Sequence, residues 1–229
     1  MMKKATALQV CVAIVLCSLQ AVIASAVDCA DQDTGGASCT ISLEKLLDRA
    51  VQHAELIYRV SEESKLLFEE MLFSFGGVNL HAPRGTMCAP KTVSMSKSEI
   101  QQISDKWILH SVLILIQFWT DPLADLQASL ENYENASSAL LNRSKWMSTK
   151  LTSLEQGVLV LVRQILGDGG LLLDAPGETS DYIVSSDKLE SVRRDYSVLY
   201  CFRKDAHKIE TFLKLLKCRQ IDKENCSMF

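Results

Sequence analysis

CFRKDAHKIETFLKLLKCRQIDKENC, residues Cys201 to Cys226, places three cysteines on and around an amphipathic helical pattern. Followed upstream, the same period reaches back to about Asp187. Leu189, Val192, Tyr196, Leu199, Phe202, Ala206, Ile209, Leu213 and Leu216 recur at steps of three and four. That spacing puts them on one face and predicts a helix of about 30 residues packed against others. Lys204, Lys208, Thr211 and Leu215 fall roughly opposite, on the outward side of the wheel. Cys201 also stands well off the apolar face. A disulfide there would fasten another segment to the outer side of this helix.

Three further helical patterns lie upstream. The first runs from about Ser42 to Leu72, with Leu43, Leu47, Ala50, Ala54, Ile57, Phe68 and Met71 as its inner stripe. Ser61 and Ser64 interrupt that stripe, and Gly76-Gly77 ends the pattern. Residues 74–95 carry two prolines and three glycines and read as a long connection. Ser96 followed by Glu99 has the form of a capping box and opens a second helix through Ile100, Ile103, Trp107, Leu109, Leu113 and Ile116. Pro122 should bend this helix, which resumes to about Tyr133. After a short link, Glu134 to Leu141, a third helix runs from about Asn142 to Leu166 over Met147, Leu151, Leu154, Val158, Leu161 and Ile165. Gly167 closes it. Residues 167–186 form a second long link, and Asp187 with Glu190 opens the last helix. A short link makes its helices antiparallel neighbours, whereas a link of about 20 residues can run the length of a helix and let the next point the same way. Long, short and long connections therefore predict an all-α, four-helix up-up-down-down bundle.

Lys3 and Lys4, the apolar run Ala5–Ala24 and the exit Ala24-Ser25-Ala26 have the layout of a secretory signal cleaved after Ala26. Residues 27–229 are then the single mature domain. Beyond the signal the most apolar stretch, Ile108 to Trp119, is short, contains His110, Ser111 and Gln117, and reads as a buried helix instead of a membrane span. Without the signal the chain keeps 22 basic and 28 acidic side chains, a net charge of −6 that does not point to nucleic acid. Six cysteines remain, enough for three disulfides in 15 possible pairings. Spacing favours two small terminal loops, Cys29–Cys39 and Cys218–Cys226, leaving Cys88–Cys201 as the long-range bridge.

The sequence has no GxSxG elbow, HExxH, phosphate-binding loop or cysteine left over for catalysis, so it does not read as an enzyme. Trp107, Trp119 and Trp146 read as packing residues. A secreted carrier of a small apolar ligand is the alternative. The inner stripes of Leu, Ile, Val and Met fill space, which disfavours a cavity.

Several stretches are similar to the growth hormone and prolactin family. They are Cys201-Phe202-Arg203-Lys204-Asp205 continuing to Lys208, Glu210 and Leu213 and then Cys218-Arg219, with Leu47-Asp48-Arg49-Ala50 and Leu154-Glu155-Gln156-Gly157. ISLEKLLDRAVQHAELIYRVSEES, KSEIQQISDKW and DAHKIETFLKLLKCRQ resemble most a fish pituitary branch of it. Many members of that branch carry a seventh cysteine after the SEES motif, where this chain has Lys65. The resemblance implies a long-chain helical cytokine with three disulfides, no cofactor and no chemistry of its own. It would be secreted, monomeric when free, and would bind and dimerise a single-pass class I cytokine receptor. It also implies that Lys204, His207, Lys208, Glu210, Thr211, Phe212 and Lys214 form the first receptor surface. Gly157, on the flank of the third helix beside Ser153, Val160 and Gln164, would be the second contact. A helical glycine costs about 0.8–1 kcal/mol against alanine; a notch for a partner side chain gives it a reason.

The family's zinc ligands do not carry over, because the helix-one positions hold Glu55 and Tyr58 here. His53 and Glu55, two residues apart, do not face the same way. Asn135-Ala136-Ser137 and Asn142-Arg143-Ser144 are glycosylation acceptors expected in the short link and at the start of the third helix.

Overall fold

The computed structural model describes residues 41–74, 88, 102–167, 188–222 and 226. They form four helices, α1 (Leu43–Ser74), α2 (Asp105–Glu131), α3 (Ser138–Leu166) and α4 (Lys188–Ile221), and no strand among the described residues. The signal segment, the Cys29–Cys39 bridge, the Ser96 capping box and Asp187 lie outside the described residues.

Cross-helix pairs define how the helices run. Asp48 meets Lys217, Tyr58 meets His207, and Glu69 meets Tyr196. Numbers rise on α1 as they fall on α4, so the two are antiparallel. Arg219 bonds Asp105, Trp119 bonds Asp205, and Tyr133 bonds Asp195, which makes α2 and α4 antiparallel. Arg143 with Glu63 and Gln164 with the Ile41 carbonyl make α1 and α3 antiparallel. α1 and α2 therefore point one way and α3 and α4 the other, with α1 packed on α3 and α4, and α2 on the same two. This is the up-up-down-down arrangement that the link lengths predict.

The core follows the stripes read from the sequence. Eight of the nine α4 stripe residues are buried; Leu189 is the exception, near the helix start. On α1, Ser61 and Ser64 do not break the inner face. Both are fully buried, their hydroxyls donating to the Tyr58 and Val60 carbonyls at 2.6 Å. A hydroxyl bonded to its own helix can be buried without an unmet donor.

Three expectations are corrected. α2 begins at Asp105 within the described residues, where Ser104 caps it by accepting the Trp107 N–H at 3.2 Å. Ile103 lies before that helix. α3 begins one turn earlier than expected, capped by the Ser137 hydroxyl. Leu215 is not outward; it is 1% exposed. One turn on, Arg219 bonds the Ile103 carbonyl at 2.5 Å, so the chain entering α2 crosses this side of α4. Gly167 ends α3 at φ 70°, a conformation in which glycine carries no steric penalty.

α2 spans Pro122 without a break. By length and composition it could cross a membrane, yet twelve of its side chains are buried in the bundle, between α3 and α4. The Cys88–Cys201 bridge is formed, with Cα atoms 5.2 Å apart, and so is Cys218–Cys226, at 5.6 Å. Cys201 is only 5% exposed, because Cys88 packs onto it.

Candidate functional site

α4 packs on two helices at once, and this splits its flanks. On the α2 side, Trp119 Nε1 donates to Asp205 at 3.0 Å, and Phe212 meets Trp107 edge-to-face with ring centres 5.8 Å apart. On the α1 side, Arg203 pairs with Glu62, and the His207 ring lies 4.9 Å from that of Tyr58. What remains outward is a strip between the flanks. Lys204 and His207 are exposed; Lys208, Thr211 and Lys214 are half-exposed.

This strip is basic, and its cations are held by carboxylates. Lys208 bonds Asp205 at 3.0 Å, Lys214 bonds Glu210 at 2.5 Å, and Lys217 bonds Asp48 at 2.5 Å. Glu210 keeps Lys214 above the usual lysine value, against the opposing effect of desolvation. The Glu62 hydrogen bond likewise raises Arg203. Lys204 stands apart, its ammonium 4.4 Å from the centre of the Tyr200 ring.

Of the seven residues assigned to this face from sequence, five reach solvent. Phe212 is 2% exposed and Glu210 7%. Phe212 is therefore core, and Glu210 acts from beneath by fixing Lys214. Asp205 is deeper still. Burial pushes its carboxyl up, and Lys208 and Trp119 only partly offset this. Sequence reasoning missed Tyr58, Glu62 and Arg203, which complete the face from the α1 side. The signal available was the antiparallel pairing of α1 and α4, which sets Tyr58 against His207.

Gly157 lies in the other outward region, along α3 beside α1. A Cβ added there would meet nothing within 4 Å. No neighbouring helix requires the missing side chain, so close packing does not explain this glycine. Glu63–Arg143 pins one end of the α1/α3 groove and the Gln164–Ile41 hydrogen bond the other.

Asn135 is exposed in the link, and its sequon Ser137 is the α3 cap. Asn142 is exposed but sits inside α3, not at its start. Its sequon Ser144 is fully buried, with the hydroxyl unpartnered. Where the family's zinc ligands would fall, the Tyr58 ring packs on His207. Among the described residues no three metal-ligating side chains cluster.

A model of the somatotropin hormone family matches residues 11–226. The chain belongs to the somatotropin hormone family. It is 75% identical over its whole length to somatolactin of Carassius auratus, covering all of that protein too. It is 51% identical to somatolactin of Ictalurus punctatus, again with both chains fully covered. Somatolactin of Hippoglossus hippoglossus is 57% identical over 87% of this chain and 88% of its own. The family consists of signalling hormones, and this chain is a peptide hormone and not an enzyme. The α4 strip and the Gly157 groove are thus two outward faces of a hormone.

Proposed function

We propose that this hormone is secreted after cleavage at Ala26 and acts by pairing two copies of a single-pass class I cytokine receptor. The outward strip of α4 is the first surface, made by Lys204, His207, Lys208, Thr211 and Lys214, with Tyr58, Glu62 and Arg203 from the α1 side. Glu210 and Phe212 serve it from beneath, one holding Lys214 and the other seating the helix on Trp107. The Gly157 notch is the second surface. Cys29–Cys39 completes three disulfides. Asn135 and Asn142 take glycans, and attachment at Asn142 precedes the folding that buries Ser144 in α3.

The observation that carries this reading is the α4 strip, where carboxylates fix Lys208 and Lys214 and the Tyr200 ring holds Lys204, on a helix tied down by Cys88. Fixing long side chains beforehand reduces what binding must spend in ordering them. The apolar-carrier reading finds little support. A cleft of about 260 Å³ between α2 and α4 mixes the apolar Pro122, Leu126, Ala128 and Val198 with Asp125, Ser129, Asn132, Arg194 and Asp195, so it is not a purely apolar cavity.

The test uses the purified, oxidised mature protein and immobilised receptor ectodomains of the growth hormone and prolactin receptor type. Binding by the native protein is expected, and alanine at Lys204, His207 and Lys208 together should weaken it at least tenfold. Unchanged affinity in the triple variant removes the α4 strip as the first surface.

A further inference from the structure

The cleft between α2 and α4 belongs to neither outward face of the hormone. Gly157 stands on α3 beside α1, and the α4 strip begins beyond Val198, at Lys204. Pro122 and Leu126 from α2 and Val198 from α4 are buried and give the cleft an apolar floor. Pro122 is an unexpected residue there. It has no N–H for the Phe118 carbonyl four residues back, and a proline inside a helix costs about 3 kcal/mol or more. Yet α2 runs through it unbroken. Departures from local preference of this kind gather where a protein has a site.

One wall of the cleft is a closed network. Asp195 is 2% exposed, and its carboxylate accepts from the Tyr133 hydroxyl at 2.6 Å and from Arg194 Nε at 3.1 Å. Arg194 also reaches across to α2, where its Nη2 donates to the Ser129 hydroxyl at 3.3 Å. Asp195 is thus bonded from both helices, and its charge and that of Arg194 answer each other. The rim is open by contrast. Asp125 is exposed and, among the described residues, has no cation within ion-pair distance. Asn132 uses its side-chain N–H on the Ala128 carbonyl at 2.9 Å, and its amide oxygen accepts no hydrogen bond from the described residues. With Asp195 and Arg194 cancelling, Asp125 leaves the lining negatively charged.

We propose that this cleft binds a small primary amine with an apolar body. The body lies on Pro122, Leu126 and Val198, and the ammonium is held at the rim by the Asp125 carboxylate and the Asn132 amide oxygen. An ammonium brings three N–H donors and a positive charge, which those two groups lack in the free protein. A neutral alcohol of the same shape leaves Asp125 unanswered. A carboxylate is repelled by Asp125 and meets an Arg194 already engaged by Asp195. The volume of about 260 Å³ falls just under the range of about 300–1,000 Å³ for sites that take drug-sized molecules, so the occupant is small. It touches α2 and α4 together, so a bound amine also stabilises the seam between them. Nothing in the site involves the residues of either proposed receptor surface.

The experiment titrates the purified, oxidised mature protein with phenethylamine and isoamylamine, one aromatic amine and one aliphatic, and follows backbone amide resonances by NMR. Phenethyl alcohol and phenylacetate serve as the neutral and anionic counterparts. At least one amine is expected to bind with a Kd of about 1 mM or tighter and to shift the Leu126 and Val198 signals. The alcohol should bind about threefold or more weakly than phenethylamine, and phenylacetate more weakly still. Asp125→Asn should bring phenethylamine down to the affinity of the alcohol. Ala128→Trp, at an exposed position on the rim, should block amine and alcohol alike. Both substitutions fall on exposed residues, and an unchanged circular dichroism spectrum checks that each variant is folded. No binding of either amine by the native protein up to about 10 mM overturns the proposal. Equal native affinity for phenethylamine and its alcohol does the same, and so does amine binding that survives a folded Ala128→Trp. If a variant does not fold, the comparison of amine with alcohol on the native protein decides by itself.

Discussion

α1 contributes to both outward regions, and they are built in opposite ways. Facing α4, its carboxylates Asp48 and Glu62 meet cations, and Tyr58 meets an imidazole. Facing α3, between the pinned ends of the groove, it offers Arg49 and a His53 imidazole that burial, then Lys150 and Arg49, hold below the ordinary histidine value, along a groove whose glycine has nothing beside it. The first seam is nearly satisfied on its own. The second is left open. Charge that is internally paired mainly sets geometry, whereas unpaired charge is a standing attraction for a partner.

The comparison breaks most sharply if the α4 strip is not seated as described. Phe212→Ala should cost about 3–5 kcal/mol in denaturant unfolding, because it empties a buried site against Trp107. A loss below about 1 kcal/mol would return Phe212 to the surface.

Next in size is Asp205→Ala, expected to cost about 1–3 kcal/mol by leaving the Trp119 indole N–H and the Lys208 ammonium without their acceptor. Tryptophan emission should report the lost indole bond. Asp205 also sets a pH dependence. Its folded pKa is raised by burial, so its contribution favours the fold at acid pH and is lost as pH rises through that raised value. Asp205→Asn should therefore gain on the wild type across that interval. Glu69 does the reverse. Desolvation raises its carboxyl, but the hydrogen bonds from Lys65 and Tyr196 outweigh it and the net value is lowered. Stability from Glu69 is present above the ordinary carboxylate range and disappears as pH falls through the depressed value. Stability curves of Asp205→Asn and Glu69→Gln that slope the same way relative to the wild type would defeat this contrast.

Gly157→Ala should stabilise the protein by about 0.8–1 kcal/mol, since the added methyl meets no atom and the helix gains a better former. Gly157→Arg should fold as well and bind one receptor but not two. Destabilisation by alanine would mean that the glycine serves packing after all. The smallest effect belongs to the exposed pairs. Lys217→Ala should change stability by no more than about 0.5 kcal/mol, because both it and its Asp48 partner stand in solvent and salt.

Helix order, direction and inner faces were legible from spacing alone. A residue such as Leu199 or Leu154 falls inward because of its period, and period is a property of the chain. Link lengths carried the topology for the same reason, since they bound the distance a chain can travel. Helix starts were less legible. Ser96 and Ser104 both offer a capping hydroxyl, and Ser104 opens the described helix although no Glu or Gln follows at the third position.

The candidate site divides along the same line. Its position on α4 could be read from one sequence, because the apolar stripe fixes which residues point away from it. Its depth could not. Phe212 and Leu215 are buried because α4 touches both α1 and α2 and is crossed by the chain entering α2, and a wheel drawn on one helix contains none of those neighbours. The pairing state of the cations was hidden likewise. Glu62 and Arg203 lie 141 residues apart, and Lys150 stands on a different helix from Arg49 and His53. Sequence alone determined four rods, their order and their greasy faces. Only the packed bundle decided which charges are answered, because Coulomb energy depends on separation in space, which chain position does not supply.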